Sequence, residues 1–325
     1  MSTTTEPEDE ATEAAVGRQA DSPKEIPAKG WKQVALRVKV EAKNDRVPLL
    51  SAGLAFYGLL AAVPGLVAII SMYGLVSDPK DISDQVRSLM GTAPPEARTL
   101  LRHQLEKLTT SSGGGLGLGV LLGIVIALWS ASAGMKHLIE GVNGAYDEDE
   151  TRGYVKLRLT AIVLTVGVAV FLVVAVGVIT VLPGIFDHLG VVGSILLAVA
   201  RFGGLLAAFI VGLGVLYRYG PDRDKPEWRW VSWGSAIAAI LWVIASIAFS
   251  VYASNFSKFN KTYGSLGAVI VVLLWLQISA AVILLGAEIN AELERQTRKD
   301  STEGRPEPMG DRHAYAADTI GGDPP

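Results

Sequence analysis

The chain alternates long apolar runs with short polar ones. Apolar residues dominate 49–76, 115–133, 159–182, 192–217, 231–252 and 264–287, and charged or Gly/Pro-bearing stretches separate them. At about 1.5 Å per helical residue, each run spans or nearly spans a hydrocarbon layer of about 30 Å. Within such a layer the peptide groups must bond inside their own segment, so the pattern predicts an all-α, polytopic membrane helix bundle of about six transmembrane helices. The first run is longer than an upright helix needs. Pro64 lacks an amide donor and crowds the carbonyl of Leu60, which makes it the expected kink.

The polar stretches divide the rest. Residues 29–47 place Trp31, Val34, Ala35 and Val38 toward one side and Lys32, Lys39 and Lys43 toward another. That pattern predicts a basic amphipathic helix, read either as interfacial or as a solvated lead into the first span. Residues 77–114 carry Leu100, Leu101, Leu105 and Leu108 at helical spacing, which predicts two short outer helices over the bundle. The second span is expected to continue as a polar extension to Tyr146. Residues 1–28 are acidic and 298–325 are rich in Gly, Pro and Asp, so both read as disordered tails flanking a transmembrane domain at 48–297.

Charge orients the bundle. With both ends on one side, sixteen Lys and Arg fall in the flanks and short loops of that side against seven on the other. The positive-inside rule then puts both termini in the cytoplasm. A formal net charge of −3 gives no basic surface for nucleic acid, and the absence of cysteine removes disulfides, thiolate metal sites and cysteine nucleophiles. No cofactor motif is visible. The expected partner is the bilayer: Arg152, Lys156 and Arg158 read first as topological anchors and second as contacts to anionic lipid or an anionic solute. Gly115, Gly119 and Gly123, and likewise Gly204, Ala208 and Gly212, offer grooves for close helix approach, with an oligomer seam as the lesser reading.

Candidate chemistry is sparse. His103, His137, His188 and His313 are isolated, no metalloenzyme spacing exists, and the acidic run at 147–150 reads as a solvated turn. These features predict neither a catalytic centre nor a metal site. The polar groups at the span ends are the candidate solute path. Lys136, Glu140 and Asn143 share a helical stripe, followed by Tyr146. The first two read foremost as a surface ion pair and second as part of a path. Arg201 lies about ten residues into an apolar run and must snorkel or find a partner. Asn260 and Tyr263 lie in the turn between spans five and six, read as an aromatic belt or as a gate. Glu288, beside Asn290 at the end of span six, reads either as a surface carboxylate or as a proton or cation site.

Several of these segments together resemble the YihY/BrkB family of bacterial inner-membrane proteins over about 46–295. They are SAGLAFYGLLAAVPGL at 51–66, LWSAS at 128–132 and GVNGAYDEDETRGYVKLRL at 141–159. The C-terminal half adds LYRYGPD at 216–222, YGSLGAVIVVLLWL at 263–276 and LLGAEINAELER at 284–295. Trp233 departs from the pattern, which commonly has Pro there. The resemblance implies a permease or exporter of small solutes with no established substrate. The other readings are a non-transporting envelope scaffold or stress- and serum-resistance protein, and an old ribonuclease label that the residues do not support.

Overall fold

A computed structural model describes residues 13–73, 118–186, 190–255 and 265–322. The outer segment 77–114, expected to hold two short helices, lies outside them. Six long helices form where the apolar runs predicted them: α2 (Val47–Tyr73), α3 (Leu118–Ala145), α4 (Tyr154–Phe186), α5 (Gly190–Tyr219), α6 (Trp228–Asn255) and α7 (Ser265–Glu294). The shorter α1 (Ala28–Asn44) precedes them and the one-turn α8 (Tyr315–Asp318) follows. No strand occurs among the described residues.

Neighbours in sequence are neighbours in space, and α7 closes the ring by packing on α6, α2 and α3. The outer surface is apolar. Val155, Leu159 and Val163 on α4, Ile195, Val199 and Phe202 on α5, and Ile240, Ile244 and Ile247 on α6 are all exposed at helical spacing. Water would make such a surface an aggregation site, whereas lipid requires it. Over the described residues, Tyr154–Ala175, Ile195–Tyr219, Trp228–Ala253 and Val269–Glu294 are long and apolar enough to cross a membrane. The chain is a multi-pass helical membrane protein. Its core lies on the opposite helix faces, with Leu157, Ala161 and Leu164 of α4 meeting Ile139, Leu213, Leu216, Val231 and Leu284.

Glycines set close crossings at positions other than the expected α5 groove, while the expected set Gly115, Gly119 and Gly123 lies where the surroundings are not described. A Cβ on Gly234 would run into the carbonyl of Gly286 and the side chain of Asn290, and one on Gly286 would run into the Tyr217 hydroxyl. These two positions let α6, α7 and α5 touch. Gly204 and Gly212 have open space where a Cβ would go, so the groove expected on α5 holds no neighbour among the described residues. Pro64 lies inside α2, which continues as helix beyond it to Tyr73.

The amphipathic segment is a helix, but its apolar side faces protein. Val34 is buried with Trp230 and Leu293, and Trp31 sets its ring 5.4 Å from that of Trp233, the residue that departs from the family pattern. Arg37 is buried as well and bonds to Glu292 on α7. Neither tail is the disordered segment that its composition predicted, at least over 13–28 and 298–322. Arg18 donates to the carbonyls of Arg295 (3.1 Å) and Gly321 (2.6 Å), and Thr297 Oγ1 donates to Ala20 O (2.7 Å). Buried guanidinium and hydroxyl groups supply the hold that the few apolar residues of these segments could not.

Candidate functional site

The connections α1–α2, α3–α4 and α5–α6 and the C-terminal end of α7 gather at one end of the bundle, where they build a dense polar cluster. It begins where α3 stops. Asp147 adopts a left-handed backbone (φ 55°), and the amide of Glu148 returns to the carbonyl of Asn143 at 2.9 Å, closing a Schellman cap. The cap frees the Asn143 side chain to bridge two loops. Its Oδ1 accepts from the Asp222 amide and its Nδ2 donates to Glu150, both at 2.9 Å. Arg152 grips Glu150 with two bonds, at 2.7 and 2.6 Å, while Asp222 accepts from the Thr151 hydroxyl at 2.6 Å. Burial pushes the Glu150 and Asp222 carboxyls up, but these bonds and the Arg152 charge outweigh it and hold both below the ordinary carboxylate range.

A second layer lies against α7. Arg223 and Glu294 pair at 2.6 Å with neither side chain exposed, and Ser301 Oγ donates to the same carboxylate oxygen at 2.6 Å. The Arg223 guanidinium also lies 5.0 Å from the centre of the Tyr146 ring. Tyr146 is wholly buried, and its hydroxyl faces the Asn290 side chain; the hydroxyl and Asn290 Nδ2 have no other hydrogen-bond partner among the described residues. Burial raises the Tyr146 phenol well above its usual range, with the Glu294 charge adding to the shift. Asn290 Oδ1 accepts from the Gly234 amide at 2.8 Å, which explains the tight crossing of α6 and α7.

The third element is a pair of carboxyls. Glu288 on α7 is 2% exposed and its carboxyl lies beside that of Asp45, in the turn between α1 and α2, while its Oε1 has no hydrogen-bond partner among the described residues. Burial raises Asp45 above the ordinary range, assisted by Glu41 and opposed by Arg295. Arg295 is the cationic hub, 2.6 Å from Glu292, 3.7 Å from Glu41 and 3.9 Å from Asp147.

The structure therefore brings together Asn143, Tyr146 and Glu288 of the candidate path and leaves Lys136, Glu140 and Arg201 apart from them. Lys136 and Glu140 pair at 3.2 Å on the bundle surface, with side chains 29% and 42% exposed, and His137 joins Glu140 at 2.8 Å. Arg201 is partly exposed and lies about 27 Å along α5 from Tyr219, at about 1.5 Å per residue. Asn260 and Tyr263 lie outside the described residues. Arg158 is buried beneath Trp129, 4.3 Å from its ring centre, and donates to the Trp129 carbonyl at 2.5 Å. Among the described residues no three His, Asp or Glu side chains are grouped to hold a metal ion.

A family model described as virulence factor BrkB matches residues 38–310. The chain belongs to the BrkB family. Among BrkB-type relatives, the ribonuclease-like protein YfkH of Bacillus subtilis is 32% identical, over 76% of this chain and 90% of its own length. A UPF0761 membrane protein of Tolumonas auensis is 25% identical over 81% and 85%, and one of Haemophilus influenzae is 23% identical over 77% and 91%. No solved structure matches. The BrkB-like segments at 141–159, 216–222 and 284–295 are far apart in sequence, yet they meet in the cluster just described, contributing Asn143, Tyr146, Glu150 and Arg152, then Asp222, then Glu288, Asn290, Glu292, Glu294 and Arg295.

Sequence reasoning missed Arg37, Asp45 and Arg223. Each sits in a charged stretch that reads as solvated. The signal that was available is the density of carboxylates at 288, 292 and 294, one helical turn or less apart at the end of a span, which calls for cations on neighbouring elements.

Proposed function

We propose that this BrkB-family chain is a plasma-membrane permease or exporter of small solutes, with the polar end and both termini in the cytoplasm. The carrying observation is Glu288, a carboxyl on a transmembrane helix that is withdrawn from solvent, faces Asp45 and keeps one oxygen without a partner. An ionisable group held inside a membrane bundle at such cost points to a solute or ion path. The excess of Lys and Arg in the loops of that end supports its cytoplasmic placement. The ribonuclease-like name belongs to YfkH and is not carried over. Here Glu150, Glu292 and Glu294 are each bound to an arginine, which ill suits metal-dependent hydrolysis.

The test is flux in sealed vesicles of defined orientation, against a panel of amino acids, organic acids and polyamines. The full chain moves at least one class, and Glu288→Gln, which keeps the shape but not the ionisable group, lowers that flux about tenfold or more, equivalent to about 1.4 kcal/mol in the barrier. Absence of flux across the whole panel counts against the permease, and unchanged flux in Glu288→Gln removes the carboxyl from the path.

A further inference from the structure

Beyond α7 the chain turns back over its own polar end. Glu227 N donates to Ser301 O (2.9 Å), Glu303 N to Lys225 O (2.8 Å) and Asp224 N to His313 O (3.1 Å), so the segment from 299 lies along the α5–α6 loop. It then crosses to the α3–α4 loop, where the Tyr315 amide donates to Glu148 at 2.8 Å, and returns to the end of α7, where Gly321 N donates to Arg295 O at 2.9 Å. The one-turn α8 rests on α7. Ala316 and Ala317 are buried, and Ala316 shares a core with Tyr146, Ala287 and Ala291. The Tyr315 ring stands 5.7 Å from the Arg295 guanidinium, whose carboxylate partners include Asp147 and Glu292, both acting on Glu288. The segment therefore lies across the polar end of the bundle, over the Arg295 hub whose partner Glu41 precedes Asp45 by one helical turn.

Its hold is modest. The apolar contribution beneath it is chiefly the methyls of Ala314, Ala316 and Ala317; the rest of the docking is polar, by backbone bonds of about 1 kcal/mol each at most, net of water, and by the bonds Ser301–Glu294, Arg218–Glu303 and Arg18–Gly321. Its shape depends largely on one side chain. Arg312 donates to the carbonyls of Ala317 (2.7 Å), Arg298 (2.9 Å), Glu307 (3.0 Å) and Lys299 (3.3 Å). A segment fixed by few apolar contacts opens at a lower free energy than the helices it covers.

We propose that residues 299–322 are a releasable plug, which occludes the mouth of the bundle and must lift before a solute exchanges with the Asp45–Glu288 pair. The gating half of this inference rests on the permease reading; the occlusion does not.

The chain has no cysteine, so a single introduced one reports accessibility cleanly. Ala291→Cys, in the full chain in detergent, is labelled slowly by a water-soluble maleimide. Adding Arg312→Ala, or a stop after Lys299, speeds the labelling about tenfold or more as the cover is lost. The two release routes guard against a truncation that misfolds, because Arg312→Ala keeps every residue and its bonds lie within 298–317. Labelling that neither change accelerates overturns the plug. In the vesicle panel, a released chain must carry its solute faster than the full chain. Faster labelling with unchanged flux overturns the gate while leaving the permease intact, whereas absence of flux from every chain overturns permease and gate together and leaves occlusion to be judged by labelling.

Discussion

Arg223 and Glu294 differ from Lys136 and Glu140 in one respect that decides their energetics, the water available to each. Removing one partner of the buried pair strands the other charge away from solvent, so Glu294→Ala costs about 3–5 kcal/mol. The surface pair, truncated as Lys136→Ala, costs no more than about 0.5 kcal/mol. Denaturant unfolding of the purified variants in detergent measures both, and equal losses would contradict the burial of the first pair. Asp147 supplies a second contrast. Its left-handed backbone favours glycine, so Asp147→Gly is neutral or stabilising, while Asp147→Ala costs about 1 kcal/mol, in the same unfolding measurement. At this scale the sequence was legible where spacing alone fixes a contact, as for Lys136 and Glu140 four residues apart. It was opaque where a charge is satisfied from a distant segment. Nothing in the local pattern of Arg37 announces a partner 255 positions on.

Helices were the most legible level, because hydrocarbon leaves the backbone few alternatives and six apolar runs became six long helices. Which glycines make the crossings was not legible. The regular repeat on α5 looks like a packing groove, but packing depends on what stands opposite, and Gly286 has no small residue four positions to either side. The two cases separate experimentally. Gly234→Ala forces α6 from α7 at the Asn290 bond and should destabilise by about 1–3 kcal/mol, as overpacking does. Gly204→Ala or Gly212→Ala meets open space and should stabilise by up to about 1 kcal/mol through helix propensity. Thermal melts of the three variants in one detergent test this, and a Gly204→Ala loss as large as that of Gly234→Ala would place a neighbour on the α5 groove. The amphipathic α1 shows the same limit. Its periodicity told that one face is apolar but not that Trp233 and Leu293, rather than lipid, would cover it.

For the molecule as a whole, the carboxyls of the polar end divide into two sets with opposite effects on stability. Glu150 and Asp222 sit below the ordinary range. Their contribution is in full force above about pH 4 and fades as the pH falls through their lowered native values. Asp45, Asp147 and Glu148 are raised, chiefly by burial, so the folded state takes up their protons before the unfolded chain does. Acidification from neutrality should first stabilise the protein and then, below the ordinary range, destabilise it. Unfolding midpoints across that interval should show a maximum on the acid side of neutrality, flattened on its neutral side by Asp45→Asn and on its acid side by Glu150→Gln. A midpoint that only declines from pH 7 contradicts this division.

The two ends of the polypeptide are stitched to each other and to the last long helix, through Arg18, Arg295 and Gly321. Synthesis runs from the first of these to the last, so every helix can be laid into the bilayer while this seam is still open. Only when Gly321 has cleared the ribosome does Arg18 meet its final acceptor. Insertion and closure are thus separate events in the life of the nascent chain, and a ribosome halted near codon 298 would leave a bundle whose polar rim has never been sealed.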